Sequence, residues 1–385
     1  MRIRLEAGGV AVGIDSRDGR VVPPDDGLFD TTIALADDAE LRPGLINAHD
    51  HLHRNHYPRL GSPPYPDAYA WGRDIHTRHT DEIALARSFD HRDAIRFGAL
   101  KNLLGGATTV VHHDPWEAVF LVRVPRLRVV HSLEFERDLE AAVRGDPTTR
   151  ERPLCLHLAE GVNDAAAEEV RRAHRMGLVD DRLLVVHAVG VDDDGIERLR
   201  RAGAAMAWCP TSNAFLFGRT APAALLRSGI DVLLGTDALL TGEGTPLDEL
   251  RAARRAAVLD DDRLIDAVGR VAARRLGLPP PSLEPGAPAD VLALSRPLLG
   301  RRPADVAGPE DVALVMIGGV PRLGDERFGE LFERAGVAVE PLRVGTTTKL
   351  VPSPLGTVAA RVVGRAPECG RILETRTDRT GADRE

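Results

Sequence analysis

The chain has 385 residues, of which 43% are hydrophobic, and its formal net charge is −8. This length is enough for one large barrel or for a barrel with an appended domain, and the hydrophobic fraction is enough for a packed core. The negative charge and the lack of a stripe rich in Lys and Arg argue against a nucleic-acid partner.

The cellular compartment is predicted from the cysteines and from the apolar runs. Cys155, Cys209 and Cys369 include no C-x-x-C pair, so neither a disulfide framework nor a cysteine zinc site is indicated. The N-terminus lacks the apolar stretch of a signal peptide, and no run approaches the roughly 20 apolar residues of a membrane span. We therefore expect a soluble, cytoplasmic protein that does not bind membranes.

Both ends of the chain are rich in short alternating runs that are typical of strands. Residues 1–42 contain three such runs separated by Gly, Asp and Pro, and similar runs return at 290–295 and 312–317. We expect one discontinuous domain, a small β-sandwich built from residues 1–42 and 286–325. Residues 326–385 are expected to form a C-terminal extension whose polar tail is disordered.

The middle of the chain, residues 43–285, alternates apolar strands with amphipathic helices. This pattern predicts a parallel sheet covered by helices, and a count of eight strands predicts an α/β fold, a (β/α)8 TIM-like barrel. The polar excursion at 53–80 is longer than an ordinary connection of about 4 to 6 residues, which is typical of functional loops. The interval 115–153 has to hold two strands with one clear helix, at 137–144.

The first strand of the predicted barrel ends in a cluster of imidazoles. Alternate side chains of a strand share a face, so we expect His49, His51 and His53 to point the same way. That spacing suits a metal, but solvated histidines at a strand end have the same spacing. All thirteen histidines lie between His49 and His187, which suggests that histidine-dependent chemistry is built from the first half of the chain.

In a (β/α)8 barrel the active site forms at the carboxyl ends of the strands. Five side chains of metal-ligand or acid/base type occupy such positions: His49, His51, His157, His187 and Asp237. Taken singly, His187 could be a core histidine and Asp237 a helix cap. Taken together, three imidazoles and a carboxylate suit Zn2+ or Fe2+, and a coordination position left open for water makes such a site catalytic.

Six segments, in this order along the chain, resemble the metal-dependent amidohydrolase superfamily. The resemblance is closest to the branch that holds cytosine and guanine deaminases, adenosylhomocysteine deaminases and triazine chlorohydrolases. It is specific for the superfamily but not for a substrate. The segments are PGLINAHDH at 43–51, HLAE at 157–160, VHA at 186–188, CPTSN at 209–213, GTD at 235–237 and LEPGAPADV at 283–291.

The resemblance implies a mononuclear metal-dependent hydrolase. Four ligands of one divalent ion, Zn2+ or alternatively Fe2+, are implied: His49, His51, His157 and Asp237. Glu160 would be the proton shuttle, and His187 would lie beside the metal-bound water and the substrate. Asp237 would be catalytic as well, because it can hold a proton of that water.

The sequence supports the one-metal form independently. Two-metal relatives bridge their ions with a carboxylated lysine near the fourth strand, and no lysine lies between Lys101 and Lys349. Metal-bound hydroxide would attack an sp2 carbon, foremost in the hydrolytic deamination of a small nitrogen heterocycle or cyclic amidine. The alternatives are hydrolysis of an amide, lactam or carbon-halogen bond by the same site, and a non-catalytic ligand-binding barrel.

Contacts with a small-molecule substrate are predicted outside the ligand set. Trp71, in the excursion at 53–80, would stack on a planar ring or anchor the loop by packing. His112 and His113 would form a pocket wall or a solvated strand end. Asn213 would line the pocket or cap the helix that follows. A homodimer is compatible with the resemblance.

Overall fold

A computed structural model describes residues 1–130, 134–145 and 151–374. The polar tail at 375–385, which the sequence predicts to be disordered, lies outside the described residues. The described strands, in chain order, are β1 (Arg2–Ala7), β2 (Val10–Asp15), β3 (Arg20–Val22), β4 (Thr31–Ala34), β5 (Glu40–Pro43), β6 (Leu45–Asp50), β7 (Ala107–His112), β8 (Arg128–Val130), β9 (Leu154–Leu158), β10 (Leu183–His187), β11 (Ala205–Trp208), β12 (Asp231–Leu234), β13 (Val291–Leu294), β14 (Val312–Ile317), β15 (Val320–Asp325), β16 (Val339–Val344) and β17 (Thr347–Pro352).

The described α-helices, in chain order, are α1 (Ala68–Arg78), α2 (Thr80–Arg87), α3 (His91–Leu104), α4 (Phe135–Arg144), α5 (Asp164–Arg175), α6 (Asp193–Ala202), α7 (Pro210–Phe217), α8 (Ala223–Arg227), α9 (Pro246–Arg255), α10 (Asp261–Ala267), α11 (Arg270–Arg275), α12 (Gly329–Arg334) and α13 (Leu355–Arg365). Within the described ranges, none of these helices combines the length and the apolar character that a bilayer crossing requires.

Two sheets at the chain ends share one apolar core. The four-stranded sheet has the order β3-β2-β1-β4, with β1 antiparallel to β2 and parallel to β4. The six-stranded sheet has the order β16-β17-β15-β14-β13-β5, so it joins strands from both ends of the chain. Alternate side chains of β1, including Ile3 and Leu5, pack with Val291 and Leu314 of the other sheet. Strands β16 and β17 lie beyond residue 325, and they extend the sheet instead of standing apart from it.

The strands of the middle segment run parallel. One sheet has the order β12-β11-β10-β9-β8, and β6 pairs with β7. Backbone N–H groups of Thr236 and Asp237 each donate to the carbonyl oxygen of His49 at 3.0 Å, which joins the end of β12 to β6. Every residue of β6, β9 and β10 is buried, as expected for parallel strands covered on both faces.

The segment between β7 and β9 holds its strands with few residues and one described helix. A single parallel bridge joins Thr109 to Arg123, and β8 begins at Arg128. Among the described residues, no helix lies between β7 and β8, and α4 is the helix between β8 and β9. This arrangement explains how two strand segments fit into so short an interval.

The excursion after the first strand is partly helical. Strand β6 carries His49 and ends at Asp50, His51 follows directly, and Leu52–Arg54 form a 3-10 turn, so His53 is separated from the strand. The Asp67 side chain then accepts a hydrogen bond from the N–H of Ala70 at 2.7 Å and begins α1. The predicted long loop therefore contains the whole of α1, and α2 begins at its last residue.

Candidate functional site

The ends of β6 and β12 bring two histidines to one carboxylate. Nε2 of His49 lies 3.7 Å from Oδ1 of Asp237, and Nε2 of His51 lies 3.8 Å from the same oxygen. Ligand atoms of a tetrahedral Zn2+ with bonds near 2.1 Å are about 3.4 Å apart. The three side chains are therefore close to the spacing that a shared divalent ion requires.

Two further predicted site residues, His157 and His187, lie close to His49. One group whose ligand atoms all lie within 4.8 Å contains His49, His51 and Asp237, and a second contains His49, His157 and His187. The ring centroids of His49 and His157 are 5.0 Å apart, and those of His157 and His187 are 5.2 Å apart. The four predicted ligands thus meet at His49, but they do not form a single group at this spacing.

A third group of ligand type adjoins these two. Its members are His49, His113 and Cys155. Nε2 of His113 lies 2.9 Å from the carbonyl oxygen of Val130, so it donates there, and Nδ1 is left to accept from the Cys155 thiol at 3.3 Å. Burial raises the pKa of Cys155, which keeps the thiol protonated and disfavours a thiolate ligand.

Asp114, directly after His113, orients the His51 ring. Its Oδ2 lies 2.7 Å from Nδ1 of His51, so Nδ1 carries the proton and the Nε2 lone pair points toward Asp237. Histidines that bind metals commonly donate their other N–H to a carboxylate in this way. The sequence signal for Asp114 was its place at a strand end, but its partner is 63 residues away.

Asp237 is held by two hydroxyl groups, a contact that the sequence does not predict. Oδ2 accepts hydrogen bonds from Ser212 and Thr241, each at 2.8 Å, while Oδ1 faces the histidines. Asp237 has φ +55°, a strained value for a residue with a side chain. Gly235 permits the close crossing of the two strands, because a Cβ there would lie 2.7 Å from Cβ of His49.

A buried ion pair lies next to the predicted metal ligands. Nζ of Lys101 is 3.0 Å from Oδ2 of Asp50, and both side chains have 0% exposure. Lys101 also donates to the backbone carbonyl of Asp237 at 2.8 Å and to Oγ1 of Thr236 at 3.0 Å. Asn102 donates to Oδ2 of Asp50 at 2.6 Å. This network connects the end of β6, between His49 and His51, to the backbone of Asp237.

Glu160 and His187 face each other beside the ligand group. Oε1 of Glu160 lies 3.4 Å from Nε2 of His187. Burial, and then the negative charge of Asp237, raise the pKa of Glu160 well above its usual value, and burial lowers the pKa of His187. Ala159 and His187 have φ values of 54° and 72°, so both strand ends are strained where these side chains enter the cavity.

A cavity of about 30 Å3 lies at this group, and all three predicted catalytic residues line it. Of the predicted residues, His51, His157, Glu160, His187, Asp237 and Trp71 line it. His49 and Asn213 do not line it, and Oδ1 of Asn213 accepts from Nδ1 of His187 at 2.8 Å. His112 and His113 are also outside this lining, and Nδ1 of His112 accepts from the N–H of Leu52 at 3.1 Å.

Comparison with known proteins places the chain in a family. The model of the amidohydrolase family matches residues 129–322, half of the chain. A 5-methylthioadenosine/S-adenosylhomocysteine deaminase of Haloarcula marismortui is 25% identical over 359 residues, which cover 76% of this chain and 81% of that protein. The enzyme of the same name from Nitratidesulfovibrio vulgaris is 30% identical over 297 residues, 69% of this chain and 59% of that protein.

Two further similarities bear on the fold and on the range of reactions. An S-triazine hydrolase of Gordonia rubripertincta is 29% identical over 154 residues, 36% of this chain and 32% of that protein. The crystal structure of a zinc-bound adenosine deaminase from Xanthomonas campestris has a TM-score of 0.61 at 21% identity, over 87% of this chain and 97% of that one. The fold likeness implies a TIM-barrel core.

The parallel strands, the histidines and carboxylates at their ends and the similar proteins together define the class of protein. It is a metal-dependent hydrolase that acts on carbon-nitrogen bonds. The chain belongs to the amidohydrolase family. The expectation drawn from its sequence motifs is thereby confirmed at the level of the family.

Proposed function

We propose that the protein is a mononuclear metal-dependent deaminase that replaces an exocyclic amine of a nucleoside-type nitrogen heterocycle with oxygen. The observation that carries this proposal is the position of Glu160, 3.4 Å from His187 and in the same cavity as the carboxylate of Asp237. The names of the similar deaminases support the choice of an adenosine-like substrate.

The metal would be held by His49, His51, His157 and Asp237. The support is the donor set itself: the His51 ring has its lone pair directed inward by Asp114, and Asp237 turns one oxygen toward two imidazoles. Three imidazoles and one carboxylate suit Zn2+, with Fe2+ as the alternative. A divalent ion bound there lowers the pKa of a water molecule toward 7 and so supplies a nucleophile at neutral pH.

Glu160 would move the proton. Because its pKa is raised by burial and by Asp237, Oε1 can take a proton from the attacking water and deliver it to the ring nitrogen or to the leaving amine. Asp237 would orient that water through Oδ1, since Oδ2 is occupied by Ser212 and Thr241.

His187 would act as an acceptor. Its Nδ1 donates to Oδ1 of Asn213, so in the neutral ring the lone pair lies on Nε2, which points at Glu160. Stabilising negative charge in the tetrahedral intermediate, the role implied by the resemblance, requires a proton on Nε2. Glu160, whose pKa is raised, can supply that proton first. The carboxylate so formed is then the group that takes the proton of the attacking water and passes it to the substrate. Asn213 would therefore act by fixing the tautomer of His187, and Trp71 would contact the substrate from the cavity wall.

The barrel and its domains complete the proposal. We place the eight-stranded barrel at residues 43–285 and the β-sandwich at 1–42 and 286–325. Two observations support this division: all described strands of the middle segment are parallel, and the two end sheets share their own core. Strands β16 and β17 argue for adding residues 339–352 to the sandwich.

Ammonia release from the zinc-loaded protein tests the proposal. The panel contains adenosine, 5′-methylthioadenosine, cytosine, guanine and a chlorinated triazine. We expect ammonia from at least one amino-substituted heterocycle, and Glu160→Gln should lower turnover about 100- to 10,000-fold while zinc stays bound. Glu168→Gln, the same change on the solvent side of α5, is the matched control and should leave turnover unchanged.

A second candidate reaction is displacement of a ring substituent other than an amine. It is favoured by the similarity to an S-triazine hydrolase. Chloride release from the triazine without ammonia from any amine in the panel would establish this reaction and contradict deamination. Normal turnover by the Glu160→Gln variant would contradict the proton-shuttle assignment in either reaction, and a protein that binds no zinc would favour the non-catalytic barrel.

A further inference from the structure

The cavity at the metal ligands is too small for a whole substrate. Its volume of about 30 Å3 is room for about two water molecules, since one water needs roughly 10 to 15 Å3 measured in this way. The parts of a substrate beyond the reacting atoms therefore have to lie elsewhere or displace the wall.

A second chamber adjoins this cavity and has the size of a ligand site. Its volume is about 460 Å3, within the range of about 300 to 1,000 Å3 that is usual for small-molecule sites. Arg54, Trp71 and Leu240 line both spaces, so these three side chains form the partition between them. Trp71 is fixed there by donating from Nε1 to the carbonyl oxygen of Leu60 at 2.9 Å.

The two spaces differ in charge. Three carboxylates line the small cavity, those of Asp138, Glu160 and Asp237. None of the described residues that line the larger chamber is Asp or Glu, and two of them, Arg54 and Arg87, carry a guanidinium. The combined space thus has an acidic end at the metal ligands and a basic end outside the partition.

The permanent positive charge of the chamber comes from its two arginines, because a guanidinium stays protonated at every relevant pH. Arg54 is partly balanced by Asp114, whose Oδ1 lies 3.7 Å from it, and His91 is paired with Glu117 at 2.5 Å. Arg87, in the last turn of α2, is exposed. Arg87 is therefore the charge best able to bind an incoming anion.

We infer that the chamber binds an anionic arm of the substrate, a phosphate, while the amino-substituted ring reaches the metal ligands through the partition. Arg87 contacts the anion, and Trp71 lies against the part of the molecule that joins arm to ring. The inference rests on the proposed function, because it assigns the two ends of one nucleoside-type substrate to the two spaces. It adds the charge of that substrate and the residue that selects it.

Calorimetric binding to zinc-loaded Glu160→Gln protein, which holds ligands without turning them over, tests the inference. The probes are adenosine and adenosine 5′-monophosphate, which differ by the phosphate alone. We expect the monophosphate to bind at least about tenfold more tightly, as a charge-assisted contact with a guanidinium allows, and the preference to weaken with added salt.

Variants in the same background locate the contact. Arg87→Gln should reduce the preference for the monophosphate to less than about threefold, whereas Arg87→Lys, which keeps the charge, should retain most of it. Arg73→Gln on α1 is the matched control, because Arg73 is exposed and does not line the chamber.

Equal affinity for the two probes, or a preference that survives Arg87→Gln, overturns the inference and leaves deamination intact. Failure of the zinc-loaded protein to bind either probe contradicts the nucleoside part of the proposed function, and the inference falls with it. A preference that is lost equally in Arg87→Gln and Arg73→Gln overturns the assignment to Arg87.

Discussion

Asp50 lies between two predicted metal ligands and is itself buried with a full charge. Its partner is Lys101, whose side chain is also completely buried and donates to the backbone of Asp237. Burying two charges is costly unless their geometry and hydrogen bonds compensate, and here Asn102 and Asn55 donate to the remaining oxygen positions of Asp50. The pair therefore fixes the ends of two strands relative to each other.

Lys101→Met should weaken metal binding as well as stability. Loss of the cation leaves Asp50 buried without its countercharge, and breaking a buried pair costs about 3 to 5 kcal/mol. The ends of β6 and β12 then lose their link, so we expect the zinc dissociation constant of the folded protein to rise about 10- to 100-fold. The measurement is a competitive zinc titration under conditions where circular dichroism shows a folded protein.

Lys349→Met is the control for Lys101→Met. Lys349 is the other lysine of the chain, is equally buried, and pairs with Asp325 at 2.6 Å in the six-stranded sheet. Lys349→Met should also lower stability, but by less because the Asp325 side chain is 26% exposed, and it should leave zinc affinity at the wild-type value. Equal zinc affinity in the two variants would show that the pair at Asp50 does not position the ligands.

Single residues were predictable where a strand ends and not where a partner comes from a distant segment. The positions of His49, His51, His157 and Asp237 at strand ends were predictable from the alternation of apolar strands and from motif resemblance, and their role as ligands stays a prediction. The contacts of Ser212 and Thr241 with Asp237 were not predictable, because a hydroxyl has no sequence pattern that reveals which carboxylate it will contact. Asp114 was visible as a strand-end residue, but its role depends on a ring that another strand supplies.

At the scale of elements, the segment after residue 325 reaches the candidate site. The 3-10 helix Pro367–Leu373 carries Arg371, whose guanidinium donates to the backbone carbonyls of Leu239, Gly242 and Glu243 at 2.6 to 3.1 Å. These carbonyls belong to the loop that follows Asp237, and Leu240 of that loop is part of the partition between cavity and chamber. The C-terminal segment therefore fixes one wall of the site.

Arg371→Gln should lower catalytic efficiency without changing metal content. A small displacement of a loop that positions reacting groups can cost up to about 100-fold in rate, and we expect about a tenfold loss of kcat/KM because the loop keeps its other contacts. The measurement is steady-state kinetics on zinc-loaded protein with the heterocycle that the panel identifies.

Arg361→Gln provides the comparison for Arg371→Gln. Arg361 on α13 also joins the C-terminal segment to the middle segment, through Asp93 at 2.5 Å, but neither residue lines the cavity or the chamber. If both variants lose kcat/KM equally, the effect of Arg371 is a general loss of docking and the positioning role is wrong.

The elements were predictable in proportion to their periodicity. The fully buried strands β6, β9 and β10 follow from continuous apolar runs, and α3 follows from its helical spacing and its end at Gly105. The excursion at 53–80 was predicted as a long loop because of its length, and an Asp67 cap begins α1 within it. The contact of Arg371 spans 132 residues to Leu239, and local sequence patterns carry no information at that range.

At the scale of the whole molecule, the chain combines a parallel segment that carries the site with end sheets that have their own core. The end sheets contribute none of the predicted ligands or catalytic residues, but they connect to the parallel segment through β5, which continues directly into β6. The parallel region was predictable from alternating strands and helices. The direct connection from β7 to β8 without a helix was not predictable, because the sequence showed only that the interval 115–153 holds one clear helix.

The central claim is that four side chains from the ends of β6, β9 and the strand before Asp237 hold one divalent ion. Anomalous diffraction at the zinc edge from crystals of zinc-loaded protein tests it most directly. The account predicts one peak, about 2.0 to 2.2 Å from a ligand atom of each of the four predicted ligands. A peak between His113 and Cys155, a second peak of equal height, or no peak at the cluster would contradict it.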